Sequence, residues 1–224
     1  MSRSSSTHPD EAEAIRLVPF GLPLPRPHAS ADVLAELHAE LLPTSPAVKL
    51  GPRFLRDFYY RVLPEEGLVV GYVAYAGDSP AGFLVATDDA NGFLATAVRR
   101  RWRNLLAVLL RHPPSPRAVR RAMQVGGDRR RHRGERRSEF LSLGVRPVET
   151  RRMAPGPSRR QVALMLMRAV EQHLPRPLVA LVDETNAPAR RLYDDLGWTV
   201  SEKLTAGWPV TQLVYRWDGE GITA

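Results

Sequence analysis

The stretch from Leu178 to Trp217 constrains the fold more than any other part of the chain. The apolar run Leu178 to Asp183 reads as a strand. Asn186 then offers a side-chain cap, Pro188 sits in a first helical turn where its missing N–H is no loss, and Gly197 stands where the helix must stop. Apolar residues resume at Trp198 to Glu202 and at Val210 to Trp217, the pattern of two further strands. A strand, a short capped helix and more strands in so little chain predict a helix laid on a sheet, an α/β (α+β) architecture.

Earlier segments agree. Ile15 to Phe20 reads as a first strand, and the Pro-rich stretch Gly21 to His28 ends it. Ser30 caps a helix over Ala31 to Leu42, where Val33, Leu34, Leu37 and Leu41 recur at helical spacing, and a second helix fits Pro52 to Leu63. Gly67 to Tyr75 and Pro80 to Thr87 form a hairpin of apolar strands. Glu139 to Val145 is a strand ending before Pro147. Ser158 to Gln161 is a capping box opening a helix to about Leu174. The expectation is a mixed central sheet of six to seven strands flanked by helices, built from residues 15–224 as one domain behind a disordered, Ser-rich tail, 1–14.

Charge is unevenly placed. The formal net charge is +8, yet Val98 to Arg137 holds fourteen arginines against Asp128 and Glu135, so this segment alone carries +12 and all other residues together −4. Residues 88–138 therefore read as an Arg-rich helical insertion, with Trp102, Leu105, Leu106, Leu109 and Leu110 as an apolar stripe expected to dock it on the domain. The arginines either serve a partner or reflect a compositional bias, since lysine occurs only at Lys49 and Lys203. The absence of cysteine excludes disulfides, thiolate metal sites and a cysteine nucleophile. The scattered histidines lack metal-ligand spacing, so no metal is expected. No apolar run approaches the roughly 20 residues of a membrane span, and Met1 to Ala14 is polar; the chain reads as cytoplasmic.

The segment Asn186, Ala189, Leu192, Tyr193, Leu196, Gly197 and Trp198 resembles the late motif of the GNAT superfamily of N-acetyltransferases: an Asn opening a helix, a small residue three positions on, a Leu-Tyr pair, then Leu-Gly-aromatic. The resemblance covers Glu139 to about Trp217 well. It implies an N-acyltransferase using acetyl-CoA or another acyl-CoA as co-substrate. Asn186 and Ala189 would lie at the cofactor, and Tyr193 would protonate the departing thiolate. The competing reading of Tyr193 is a core residue. A phenol of pKa about 10 giving its proton to a thiol of about 8.5 is uphill by roughly 2 kcal/mol, so Tyr193 would act mostly as a hydrogen-bond donor.

By the same resemblance, Leu143, Gly144 and Val145 would pair with the pantetheine arm. Gly144 marks either a bulge that splays the strand or a close-packed neighbour. The family's pyrophosphate loop is altered: Ser158 replaces a Gln or Arg, Gln161 replaces the first glycine, Ala163 is retained, and a longer loop containing Pro155-Gly156-Pro157 precedes it. Arg151, Arg152, Arg159 and Arg160 gather at this helix start, where the macrodipole disfavours cations by about 0.3 to 1 kcal/mol each; an anion on the N–H groups of Arg160, Gln161 and Val162 would relieve the conflict. Glu139 is the leading general-base candidate beside Glu149, Asp183 and Glu184.

The leading function is transfer of an acetyl group to a primary amine of a small molecule, amino sugar or peptide, by direct attack. One alternative is a non-catalytic GNAT-fold binding module. Another is an acyl carrier protein as donor, its acidic surface facing the basic segment. The stripe could also rest on a membrane surface or a second subunit, as in a homodimer. Nucleic-acid binding is not expected, because the basic segment has little aromatic interleaving.

Overall fold

The computed structural model describes residues 15–21, 28–120, 137–147, 157–205, 210–219 and 222. The tail 1–14, Arg151, Arg152, Glu149, and the arginines of 121–136 lie outside the described residues.

Seven strands form one sheet: β1 (Ile15–Phe20), β2 (Val70–Ala76), β3 (Ser79–Thr87), β4 (Ser138–Val145), β5 (Leu178–Asp183), β6 (Thr199–Leu204) and β7 (Gln212–Trp217), in the order β1-β2-β3-β4-β5-β7-β6. Every pairing is antiparallel except β4 with β5. Among the described residues, four longer helices cover it: α1 (Ala31–Leu41), α2 (Phe93–Arg111), α3 (Arg159–Glu171) and α4 (Ala187–Asp195). The central strands are buried on both sides, and the edge strand β6 is largely exposed. On one face, α3 and α4 enclose Leu166, Met167, Val170, Leu178, Tyr193, Trp198 and Tyr215. On the other, α1, α2 and the segment 54–63 enclose Leu34, Leu37, Phe58, Leu63, Phe83 and Val85.

Local chemistry explains the helix ends. Ser30 accepts from the Val33 N–H at 3.2 Å. Ser158 and Gln161 close a reciprocal capping box, with Gln161 Oε1 accepting from the Ser158 N–H at 2.6 Å. Gly197 adopts φ 76°, the left-handed conformation that lets the Trp198 N–H reach back to the Tyr193 carbonyl at 3.0 Å and ends α4.

Two expectations need correction. The helix expected over Pro52 to Leu63 is a wider π-type turn, Phe54–Tyr59, which buries Phe54, Leu55, Phe58 and Tyr59, followed by the single turn Val62–Glu65. The stripe on residues 93–111 is only half buried. Leu105, Val108 and Leu109 pack on the domain, whereas Trp102, Leu106 and Leu110 remain 52%, 45% and 73% exposed. The reason is helical phase: past a break at Arg101 (φ −127°, ψ 30°), Leu105, Val108 and Leu109 share one side of the helix, and Trp102, Leu106 and Leu110, spaced by four, share the adjacent one.

Candidate active site

β4 and β5 are paired only over Ser138–Leu178, Glu139–Val179 and Phe140–Ala180. Beyond Phe140, β4 follows β3, with Ser142, Leu143, Gly144 and Val145 opposite Val85, Leu84, Phe83 and Gly82. Beyond Ala180, β5 follows β7, through Leu181–Val214 to Asp183–Gln212. The strands part, leaving a slot walled by two backbone edges that do not pair with each other. Such an edge can take up an extended, amide-bearing chain.

The divergence has a local cause. The β3–β4 register shifts between Val85 and Ala86, so Leu141 is the extra residue of a bulge, and β4 bends there. Gly144 is not the bulge residue. A Cβ at Gly144 would meet Phe83 Cε1 at 2.9 Å and Leu41 Cβ at 3.0 Å, so this glycine lets α1 approach the sheet, the close-packing alternative. Arg146 fastens the outer end of β4: its Nε donates to Glu40 Oε1 at 2.8 Å and its Nη1 to the Pro80 carbonyl at 2.8 Å.

The opening of the slot lies towards the helix starts. At α3, the cap takes up two of the N–H groups expected to hold an anion: Gln161 N–H bonds Ser158 Oγ at 3.2 Å, and Val162 N–H bonds the Ser158 carbonyl at 3.1 Å. The N–H groups of Arg159 and Arg160, one turn position earlier, have no partner among the described residues. The Arg160 side chain is not free for an anion; it pairs with Asp195 at 2.5 Å and so ties the start of α3 to the end of α4. Arg159 is exposed and has no ion-pair partner among the described residues. Ala163 is buried in the helix. At α4, Asn186 Oδ1 accepts from the Ala189 N–H at 3.2 Å, so both act in the cap.

Tyr193 is 4% exposed, edge-on to Trp198 (ring centroids 4.9 Å apart) and stacked on Tyr215 (5.2 Å). Trp198 in turn meets Phe140 at 5.6 Å, so a line of rings runs from the point where the strands part to Tyr193. No described residue hydrogen-bonds the Tyr193 hydroxyl, and burial pushes its pKa well above the ordinary tyrosine value. Glu139 is fully buried, one residue below the divergence. Phe140 packs into the α3 side, so alternation along the strand sends Glu139 to the opposite face. Of the other carboxylates, Asp183 accepts from Gln212 Nε2, and Glu184 pairs with Lys203 at 2.9 Å.

Sequence reasoning missed Leu141, Trp198 and Tyr215 as shapers of the site, and Asp195 as the partner of Arg160. Trp198 carried a signal, its place beside the helix-stopping Gly197. The others depend on contacts between distant segments. Among the described residues, no cluster of His, Asp and Glu could hold a metal ion, and no helix is long and apolar enough to cross a membrane.

This architecture is the GNAT fold. A proposed acetyltransferase of the GNAT family from Desulfovibrio desulfuricans is similar to it, with 15% identity, 91% of this chain and 98% of that chain covered, and a TM-score of 0.50. Arabidopsis thaliana NAA60, solved in complex with a bisubstrate analogue, has 14% identity, 91% and 97% coverage and a TM-score of 0.49; its complex with acetyl-CoA has 15% identity, 91% and 99% coverage and the same score. No protein-family model and no curated protein matches the chain.

Proposed function

We propose that the chain is an N-acyltransferase that passes an acyl group, in the simplest case acetyl, from acyl-CoA to a primary amine of a small molecule, amino sugar or peptide. The observation that carries this reading is the slot between β4 and β5, with Tyr193 at the end of an aromatic line that starts where the strands part. The residues fit the donor. The unpaired edge of Leu143, Gly144 and Val145 suits the two amides of a pantetheine arm. The N–H groups of Arg159 and Arg160, with the Arg159 guanidinium, suit a pyrophosphate.

The chemistry asks little of the protein. The amine nitrogen bonds to the thioester carbonyl carbon, the carbon–sulfur bond breaks, and the sulfur leaves with its electron pair. A backbone N–H on the β4 edge would hold the carbonyl oxygen as it gains charge. Tyr193 would donate its hydroxyl to the departing sulfur from the α3–α4 side. Glu139, on the opposite face, would accept the amine proton, which places donor and acceptor on different sides of the sheet. Since raising a phenol's pKa weakens it as an acid, the Tyr193 contribution is a hydrogen bond to the thiolate rather than full proton transfer.

Calorimetry with coenzyme A tests the reading: micromolar affinity and a thermal upshift are expected, because ligand well above its dissociation constant raises stability by mass action. No heat and no upshift at millimolar ligand would overturn it. An amine panel with detection of released thiol then identifies the acceptor.

A further inference from the structure

The α2 helix carries a surface that catalysis does not use. Trp102, Leu106 and Leu110 are 52%, 45% and 73% exposed, and they recur every fourth residue along roughly 12 Å of helix past the break at Arg101. Large apolar side chains in a continuous row, rather than scattered singly, mark a contact surface. Arginines border the row. Between Phe93 and Arg120 there are seven, with no Asp or Glu. Arg100 and Arg101 turn inward to Glu66, at 3.7 and 2.5 Å. Arg99, Arg103, Arg111, Arg117 and Arg120 are exposed and have no ion-pair partner among the described residues. Arg103 lies over the Trp102 ring at 5.4 Å.

We infer that this face docks the protein on an anionic lipid surface, with Trp102, Leu106 and Leu110 entering the headgroup boundary and the flanking arginines meeting lipid phosphates. Four chemistries were open to it, and charge decides among them. A second copy of the same face would set arginine against arginine. A nucleic acid would satisfy the arginines but leave the leucines wet, and the Trp102 face is already occupied by Arg103. An acidic protein must place its carboxylates opposite five separate cations, whereas an anionic bilayer meets them in any rotation about the stripe. The location is compatible with catalysis. α2 packs on the α1 face of the sheet, and α3 and α4 lie on the other, so docking leaves the start of α3 and the wide end of the slot open.

The test is flotation of the full chain with vesicles of phosphatidylcholine alone and of phosphatidylcholine mixed with phosphatidylglycerol. Binding to the mixed vesicles is expected to exceed binding to the neutral ones by roughly tenfold or more, and to weaken in high salt. A paired change of exposed leucines, Leu106→Asn with Leu110→Asn, keeps every charge and should abolish it, while unchanged thermal unfolding shows the fold intact. Undiminished binding of that variant would assign the attraction to charge alone and overturn the inference. So would absence of binding to the mixed vesicles, or self-association in light scattering that the same variant abolishes, which would give the face to a second copy.

Discussion

Tyr193→Phe removes one oxygen and leaves the rest of the site in place. The ring stays between Trp198 and Tyr215. No described residue loses a hydrogen bond, so the stability change should be about 0.5 kcal/mol or less. The effect should fall on turnover. A hydrogen bond to a charged group contributes about 1.5 to 3 kcal/mol, and the thiolate is charged only as the carbon–sulfur bond breaks. Losing it should slow turnover by roughly 10- to 150-fold with coenzyme affinity unchanged. Thiol release with an accepted amine measures the first, and calorimetry with coenzyme A the second. There is also a pH signature. Below about pH 10, folded and unfolded chains both hold the Tyr193 proton; above it the unfolded chain releases the proton that burial makes the folded chain keep, so stability falls as pH rises. The variant should show a shallower alkaline slope, keeping the part that Tyr60, Tyr72 and Tyr215 supply, since burial raises their hydroxyls too. Unchanged turnover in Tyr193→Phe would refute the catalytic role and leave Tyr193 as packing.

His38 is 1% exposed, bonded through Nδ1 to the Tyr60 hydroxyl at 2.7 Å and through Nε2 to Ser45 Oγ at 2.9 Å, and burial lowers its pKa to about 4. The unfolded chain takes up this proton below about pH 6.5 and the folded chain does not until about 4, so stability should drop by roughly 3 kcal/mol across that window. Urea unfolding of His38→Asn should show a flatter acid limb, and an identical one would be the contrary result. Gly144→Ala must push Phe83 and Leu41 aside, and denaturation should register a loss of about 1 to 3 kcal/mol; a neutral change would mean that α1 can move away from β4. Duplex or single-stranded nucleic acid should show no measurable binding at about 0.15 M salt, and tight binding that weakens steeply with salt would reverse the assignment of the basic segment.

The α4 region was legible residue by residue. Its cap, Pro188 in its first turn and its Gly197 stop are local features whose partners lie within a few residues, and the structure places the helix at Ala187–Asp195 as the motif implies. The capping box at Ser158 was equally plain, but its consequence was not. The sequence shows Ser and Gln three apart; it does not show that their bonding withdraws the Gln161 N–H from an incoming anion, or that Arg160 is held by Asp195, 35 residues away. The slot lies further still from sequence reading. Nothing local to Leu141 marks it as the extra residue, because a bulge is a mismatch of register between β3 and β4, strands separated by fifty residues of chain. The same holds for α2. Spacing identified an amphipathic helix, yet which side of it faces inward depends on how it is set against the distant segment 54–63. Caps, turns and periodicity are short-range and follow from residue type. Strand register, the parting of β4 from β5 and the outward turn of Trp102 follow from packing between distant segments, which only the folded chain decides.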